Sequence, residues 1–493
     1  MSKVQRMAVI VMAAVFGMAS FVSAQTYTWT GGGGNGNYAQ GGNWGGSGPA
    51  SGATGDFIFN AANIVSSPTY TEWWRPNDNV AVTYSSITIA GNDASWTTTW
   101  AGGWDIRAGG SSTLAGNVTA SDGTHRISGS SLALTSDSTF NVIDQSLTVS
   151  AGLQGNQSIT KTGAGNLILA GNNAISSLNI SGGTVSFAAA TNLGAGPVTI
   201  NGGTLSYTNA STGSMNLNRN ITVGGSHATI NVVESTAKLQ NAGSGNSLQG
   251  TGDIIKTGAG AFYNNTVDSR TSGNWIIEEG TLEFSMANRI RANSTITIKN
   301  GATLMGNYGT ATDVNMVNRS IVLEGGATIA VSDAANYQFH NISGTGTLTL
   351  TAASTGHIEL MTANTYTGGT VLDGGKVIAS VDGAFGTGGM TVEDGALILR
   401  SANAFASDAD LIFKDGTIEF DFTGALAIGR FSFDGVIWYD AGDGFDIDAL
   451  NALAATAGVS VTFSGTGSVI PEPATIGMLF AGAMLSLLFR RRR

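Results

Sequence analysis

The sequence predicts an all-β protein whose body is a parallel β-helix or solenoid with coils of about 20–25 residues. One observation is a recurring unit of two apolar alternations around a glycine-containing turn. A second is its spacing, because 20 residues separate Gly183 from Gly203 and 21 separate Gly395 from Gly416. The third is composition: 71 glycines, 42% hydrophobic residues and 11% charged residues suit short strands and tight turns. A signal helix is expected before this body and a transmembrane helix after it.

Residues 1–24 are typical of a secretory signal peptide. A basic start precedes 15 apolar residues at 7–21, and Val-Ser-Ala occupies positions 22–24. Such small residues suit signal peptidase, so cleavage is predicted between Ala24 and Gln25. The alternative is an N-terminal membrane anchor, although the apolar run is shorter than the roughly 20 residues that a span needs.

Residues 25–110 are predicted to form a Trp- and Gly-rich N-terminal β region and cap. Seven of the nine tryptophans lie in the first 104 residues. They either cover the open strand edges at the end of the solenoid or present a surface on which sugars stack. These residues are Trp29, Trp44, Trp73, Trp74, Trp96, Trp100 and Trp104.

Residues 111–440 are predicted to form the solenoid itself. Units such as "LNISGGTVSF" (178–187) and "VTINGGTLSY" (198–207) place alternate apolar side chains on one face. One unit cannot bury that face alone, but a second unit stacked roughly 4.8 Å away covers it. The alternative is an array of antiparallel hairpins, since the same turns are good hairpin signals. The 77 residues between Gly203 and Gly280 predict about four intervening coils.

A longer motif overlies these units. Lys-Thr-Gly-Ala-Gly occurs in "ITKTGAGNLILAGNN" (159–173) and "IIKTGAGAFYNNTV" (254–267), with a degenerate copy in "ISGTGTLTLTAAS" (342–354). "NTYTGGTVLDGGKV" (364–377) completes the pattern. These segments resemble the autotransporter-associated β-strand repeat. That resemblance implies a β-helical passenger displayed on a cell surface.

Residues 441–468 are predicted to be a closing segment with a short helix. The pattern favours a helix over 449–457, capped by Asp446 or Asp448. Together with Asp440 and Asp443 these residues form the densest acidic patch, which is either a solvated loop or a calcium site.

Residues 469–493 form a distinct tail. Pro-Glu-Pro precedes 16 uncharged residues at 474–489, which as a helix would be about 24 Å long. The arginines that follow are expected to stop transfer and stay cytoplasmic: Arg490, Arg491, Arg492 and Arg493. This order of parts resembles a PEP-CTERM sorting signal. The resemblance implies that an exosortase-type membrane protease recognises Pro471, Glu472 and Pro473.

Charge and residue types limit the partners and the kinds of catalysis that this protein could have. The net charge is −11, and between residues 25 and 470 there are 16 basic and 32 acidic residues, which excludes nucleic acid as a partner. Cysteine is missing, which excludes thiol catalysis. No catalytic residue, metal site or cofactor is predicted. The carboxylates that could align along successive turns are Asp373, Glu393, Asp394 and Asp415, with Lys299, Lys376 and Lys414 at similar turns.

The sequence therefore predicts an exported, non-enzymatic structural or adhesive protein of the cell surface or extracellular matrix. We expect it to be held transiently in the inner membrane of a Gram-negative-type bacterium by its C-terminal helix. An extracellular polysaccharide is a candidate partner. The alternative is a carbohydrate-active β-helix enzyme, a polysaccharide lyase or hydrolase, carrying the same tail.

Overall fold

The computed structural model describes residues 24–31, 37–63, 80–91, 103–109, 111–210, 212–310, 312–353, 355–440 and 444–471. The chain divides into two compact units between Gln157 and Ser158, and each is described by itself. The predicted signal helix and transmembrane helix lie outside the described residues. Within the described residues, no helix has the length and apolarity that crossing a membrane requires.

The first unit consists of ten described strands in parallel ladders. Strands β1, β2, β3, β5 and β8 form one ladder, β4, β6 and β9 form a second, and β7 pairs with β5 and β10. The ladders therefore extend through the Trp- and Gly-rich region. The strands are β1 Gln25–Thr28, β2 Ala53–Asn60, β3 Val82–Ala90, β4 Asp105–Ala108, β5 Thr113–Ser121, β6 Thr124–Gly129, β7 Ser131–Leu134, β8 Ser138–Val142, β9 Ser146–Val149 and β10 Gly152–Gln154, with 3-10 turns at Gly41–Trp44 and Ala61–Asn63.

The described residues of the second unit form a longer parallel β-solenoid with three long sheets and a separate two-stranded sheet of β40 and β44. The first sheet carries β11, β13, β15, β18, β21 and β24. The second sheet carries β12, β14, β16, β19, β22, β25, β27, β30 and β33. The third begins at β17 and ends at β43. Its earlier strands are β11 Ser158–Thr162, β12 Asn166–Leu169, β13 Ser177–Ile180, β14 Thr184–Phe187, β15 Val198–Ile200, β16 Thr204–Tyr207, β17 Ser214–Asn216, β18 Ile221–Val223, β19 His227–Val232, β20 Lys238–Asn241, β21 Ser247–Gly250, β22 Asp253–Thr257, β23 Ala261–Asn264, β24 Val267–Asp268, β25 Trp275–Ile277, β26 Thr281–Phe284 and β27 Thr295–Lys299.

The remaining elements complete this unit. Within the described residues of this unit, two 3-10 turns, Ala190–Leu193 and Ala287–Arg289, lie between strands, and one α-helix, α1, spans Ile447–Ala457. The later strands are β28 Thr303–Gly306, β29 Asp313–Asn315, β30 Ser320–Glu324, β31 Ala327–Val331, β32 Asn336–Phe339, β33 Ile342–Gly344, β34 Leu348–Ala352, β35 His357–Leu360, β36 Thr370–Ala379, β37 Met390–Leu399, β38 Asp410–Phe413, β39 Thr417–Phe420, β40 Ala425–Ile428, β41 Arg430–Ser432, β42 Trp438–Tyr439, β43 Thr462–Gly465 and β44 Ser468–Pro471.

Register confirms the solenoid and shows that the hairpin-array alternative is wrong. Leu178 pairs in parallel with Val198, and Val185 pairs in parallel with Leu205. These strands thus pair with their counterparts one coil later instead of with their neighbours across the turn, and among the described strands only β41 and β42 pair antiparallel. Ile200 and Leu205 are both 0% exposed, because the adjacent coils cover them.

The recurring glycine turn does not stay at one corner of the solenoid. Leu205 is in register with Ile230, Ile230 with Lys256, and Lys256 with Ile277, so three coils span this stretch and the prediction of four is wrong. Gly203 precedes the second-sheet strand of its coil, whereas Gly280 follows it. The same sequence unit therefore turns two different corners, and coil lengths here vary from 20 to 26 residues.

The C-terminal end of the second unit is closed by α1 and the last strands. The predicted helix is confirmed: it begins at Ile447, two residues earlier than expected, and the Oδ1 atom of Asp446 accepts a hydrogen bond from the Ala449 N–H at 2.8 Å. Strand β44 pairs in parallel with β40, and Val469 exchanges backbone hydrogen bonds with Phe445. Val469 is fully buried, so the first residues of the tail belong to the folded body.

Candidate functional site

Two buried lysines organise the Lys-Thr-Gly-Ala-Gly motifs. Lys161 Nζ donates to the carbonyl oxygens of Thr162 and Gly163 at 2.7 and 2.8 Å, and to that of Gly182 in the next coil at 3.2 Å. Both Lys161 and Lys256 are 0% exposed. The motif therefore ties one turn to the turn stacked on it.

Lys256 repeats this arrangement. Its Nζ donates to the carbonyls of Thr257, Gly258 and Glu279 at 2.8, 2.7 and 3.1 Å. Burial lowers the pKa of Lys161 to about 8 and that of Lys256 to about 7. Sequence reasoning identified the motif but not this role, and the repeated Lys-Thr-Gly spacing was the available signal.

Two buried arginines perform a similar task at the projecting 3-10 turns. Arg219 donates to the carbonyls of Ala190 and Leu193, and Arg319 donates to those of Ala287 and Ile290. In each case the guanidinium reaches back to the 3-10 segment of an earlier coil. These arginines therefore fix irregular insertions to the regular ladder, and sequence reasoning did not single them out.

A buried ion pair lies farther along the second unit. The side chains of Asp268 and Arg270 are 0% exposed and form a bidentate pair at 2.9 and 2.8 Å. Asp268 also accepts hydrogen bonds from Trp275 Nε1 at 3.1 Å and from the Arg291 N–H at 3.0 Å. Every oxygen of this carboxylate is thus engaged in holding three successive segments together.

The described tryptophans of the N-terminal region face inward. Trp29 is 1% exposed, Trp44 is 8% and Trp104 is 2%. Trp29 and Trp44 meet edge to face at 5.0 Å between ring centroids, and Trp44 Nε1 donates to the Tyr38 carbonyl at 2.9 Å. These rings build a core and offer no free face to a sugar. Trp73, Trp74, Trp96 and Trp100 lie outside the described residues.

The turn carboxylates occupy successive coils as the sequence indicated. Asp373 and Asp394 are register partners on β36 and β37. Glu393 pairs with Lys414 at 2.7 Å, and both side chains are largely exposed. The carboxylates of Asp394 and Asp415 each accept a hydrogen bond from the next residue's N–H at 2.6 Å. A surface ion pair therefore engages Glu393, and local turns engage Asp394 and Asp415.

Histidines and acidic residues do not gather into a metal-ligating set within the described ranges. His125 is buried and contacts the Ser121 carbonyl at 2.8 Å, and burial lowers its pKa. His340 contacts Asn315 at 3.0 Å. Of the acidic patch, Asp446 caps α1, and Asp443 lies outside the described residues.

A polar cleft of about 300 Å³ lies on the second unit. Its lining contains amides, hydroxyls and one guanidinium, and no carboxylate. Such groups suit a polyhydroxylated ligand. The lining residues are Gly243, Ser244, Gly245, Asn246, Asn265, Thr266, Val267 and Arg289.

The predicted processing residues lie at the two limits of the described chain. Gln25 is the first residue of β1, and cleavage before it stays a prediction. Pro471 is buried at the end of β44, in register with Ile428. Glu472, Pro473 and Arg490 to Arg493 lie outside the described residues. The Pro-Glu-Pro segment therefore begins within the last strand of the folded body.

Fold and tail together define an exported protein with a β-solenoid body. A family profile for the PEP-CTERM protein-sorting motif matches residues 469–493, so the chain carries that motif. The chain is also 26% identical over 166 residues to the adhesin BmaC autotransporter of Brucella suis biovar 1 (strain 1330). That segment is 34% of this chain but spans 4% of the adhesin's length. No solved structure matches the chain.

Proposed function

We propose that this protein is a non-enzymatic structural or adhesive component of the cell surface or extracellular matrix. The observation that carries the proposal is a sorting motif that begins in the last strand of a parallel β-solenoid. A solenoid whose apolar residues face inward presents long rows of turns and outward side chains, which suits extended contacts with polymers or neighbouring molecules.

The processing step is part of the same proposal. An exosortase-type protease recognises Pro471, Glu472 and Pro473 while residues 474–489 hold the chain in the inner membrane. Two prolines keep the recognised segment extended, and its recognition requires the buried Pro471 at the end of β44 to separate from β40. Mass spectrometry of the protein from native cells tests this step. Loss of residues 474–493 is expected, and an intact C-terminus would leave a simple membrane anchor.

The adhesive part of the proposal is supported by the polar cleft that contains Asn246 and Arg289. An extracellular polysaccharide is the proposed ligand, since sugars bind through many amide and hydroxyl contacts. We expect the purified protein to bind the polysaccharide fraction of its own cells. Arg289→Gln should weaken that binding, and Lys414→Gln, at an exposed turn elsewhere, is the matched control. If both variants bind the polysaccharide equally well, the proposal that it binds in this cleft is wrong.

The proposal of no catalytic activity is supported by the bonds that engage the turn carboxylates. Glycosidic hydrolysis needs two carboxylates at a set separation around the scissile bond, one of them kept protonated. Glu393 is paired with Lys414, and Asp394 and Asp415 bond to their own turns. We expect no release of reducing ends from envelope polysaccharides. Release of reducing ends by the unaltered protein that is lost in Glu393→Gln would overturn the proposal that the protein has no catalytic activity.

A further inference from the structure

The two most exposed large hydrophobic side chains among the described residues are neighbours. Val436 is 80% exposed and Ile437 is 62% exposed, in the turn between β41 and β42. Ile470, in β44, is 38% exposed. Adjacent aliphatic side chains that project into water indicate a contact surface more strongly than scattered single ones do.

Hydrogen bonds hold this turn in one conformation. The Oδ1 atom of Asp434 accepts from the N–H groups of Val436 and Ile437, at 2.8 Å each. Ser432 Oγ accepts from the Gly435 N–H at 2.8 Å. The aliphatic pair is therefore presented by a fixed turn and is not packed onto the core, so little ordering is needed when it binds.

The strand after the turn carries residues suited to a lipid–water interface. The Arg430 guanidinium lies 4.2 Å from the Trp438 ring centroid and is held by Asp410 at 2.8 and 3.0 Å. Tyr439 follows Trp438 and is half-buried. Tryptophan and tyrosine are enriched where membrane proteins meet the headgroup region.

The turn lies at the end of the unit from which the tail leaves. Strand β42 pairs with β41, and the Phe445 ring lies 5.2 Å from Phe431 and 6.2 Å from Tyr439. Phe445 in turn exchanges backbone hydrogen bonds with Val469 at 2.7 and 2.9 Å. From Pro471 to residue 474 is three residues, a reach of about 10 Å at most. A bilayer that contains residues 474–489 must therefore lie close to this end.

We propose that Val436 and Ile437, next to Trp438, insert into the headgroup region of the bilayer while the tail spans it. We call this surface the tip contact, and the proposal that it meets the bilayer rests on the proposed function. The ligand is zwitterionic lipid, since Asp434 and the acidic body oppose anionic surfaces. The tip contact would orient the body on the membrane and hold the segment after Pro471 at a fixed height for processing.

The test uses the full chain, which has no cysteine and so accepts a single label. Ile437→Cys carries an environment-sensitive dye, and the protein is reconstituted into phosphatidylcholine vesicles. Val317→Cys, a site 45% exposed and several coils earlier, is the matched control. When vesicles are added, we expect the dye at position 437 to shift its emission to the blue and to brighten about two-fold, and brominated lipid should quench that emission. The dye at position 317 should show neither change.

The outcomes separate this inference from the proposed function. Protein that floats with the vesicles while the dye at 437 reports water overturns the tip contact and leaves the membrane-held tail intact. Protein that does not float overturns both. A dye at 437 that is already shielded without lipid and depends on protein concentration overturns the inference in favour of a second copy of the chain.

Discussion

The buried pair of Asp268 and Arg270 gives the sharpest test of how the solenoid is held together. Asp268→Asn keeps the shape of the side chain but leaves the Arg270 charge fully buried without its partner. Breaking a buried pair from one side typically costs 3–5 kcal/mol, and we expect about 3 because the amide oxygen keeps some of the bonds to Trp275 and Arg291.

Hydrogen exchange localises this effect better than global unfolding, since long repeat arrays depart from two-state behaviour. A loss of about 3 kcal/mol predicts roughly 150-fold faster exchange of protected amides in the coils around residues 248–299. Urea unfolding followed by circular dichroism gives the accompanying change in midpoint.

A double-mutant cycle and a surface control complete the experiment. The double variant Asp268→Asn, Arg270→Gln has two neutral amides in place of the ion pair. Its loss of unfolding free energy should therefore be smaller than the sum of the losses in the two single variants by at least about 1 kcal/mol. Glu393→Gln removes the exposed pair with Lys414 and should cost less than about 1 kcal/mol. Unchanged exchange in Asp268→Asn, or strict additivity in the cycle, would refute the reasoning.

Three further predictions concern the ladder, a buried lysine and the C-terminal cap. Leu205→Ala, at a position 0% exposed, should destabilise by about 3–4 kcal/mol in urea, whereas the outward Thr199→Ala should change stability by less than about 0.5. Burial lowers the pKa of Lys256 to about 7 from 10.5, so the unfolded chain binds the extra proton between these values. The free energy of unfolding should therefore rise with pH between about 7 and 10.5. In Lys256→Met the urea midpoint should rise less steeply with pH; the same slope in both proteins would contradict this prediction. Asp446→Ala removes the cap of α1 and should cost about 1 kcal/mol, seen as faster exchange over 447–457 but not in β36.

Much of the fold could be predicted because its signals are local. Period-two alternation and glycine turns fix which side chains of "VTINGGTLSY" point inward, and Ile200 and Leu205 are buried as that pattern requires. The helix near residue 450 could be predicted for the same reason, since Asp446 caps within three residues. The candidate site was harder to predict: the alignment of Asp373 with Asp394 follows from spacing, but the ion pair between Glu393 and Lys414 does not.

By itself, the sequence determined the repeat, its inward face and the order of parts in the tail, because each of these is encoded within about twenty residues. Tertiary structure decided which corner each turn occupies, since coils of 21 to 26 residues shift the register between Gly203 and Gly280. It also decided that Lys161 reaches Gly182, that Lys256 reaches Glu279 and that Asp268 reaches Arg291, each about one coil later in the chain. Such contacts depend on how successive coils stack, and no local pattern records that.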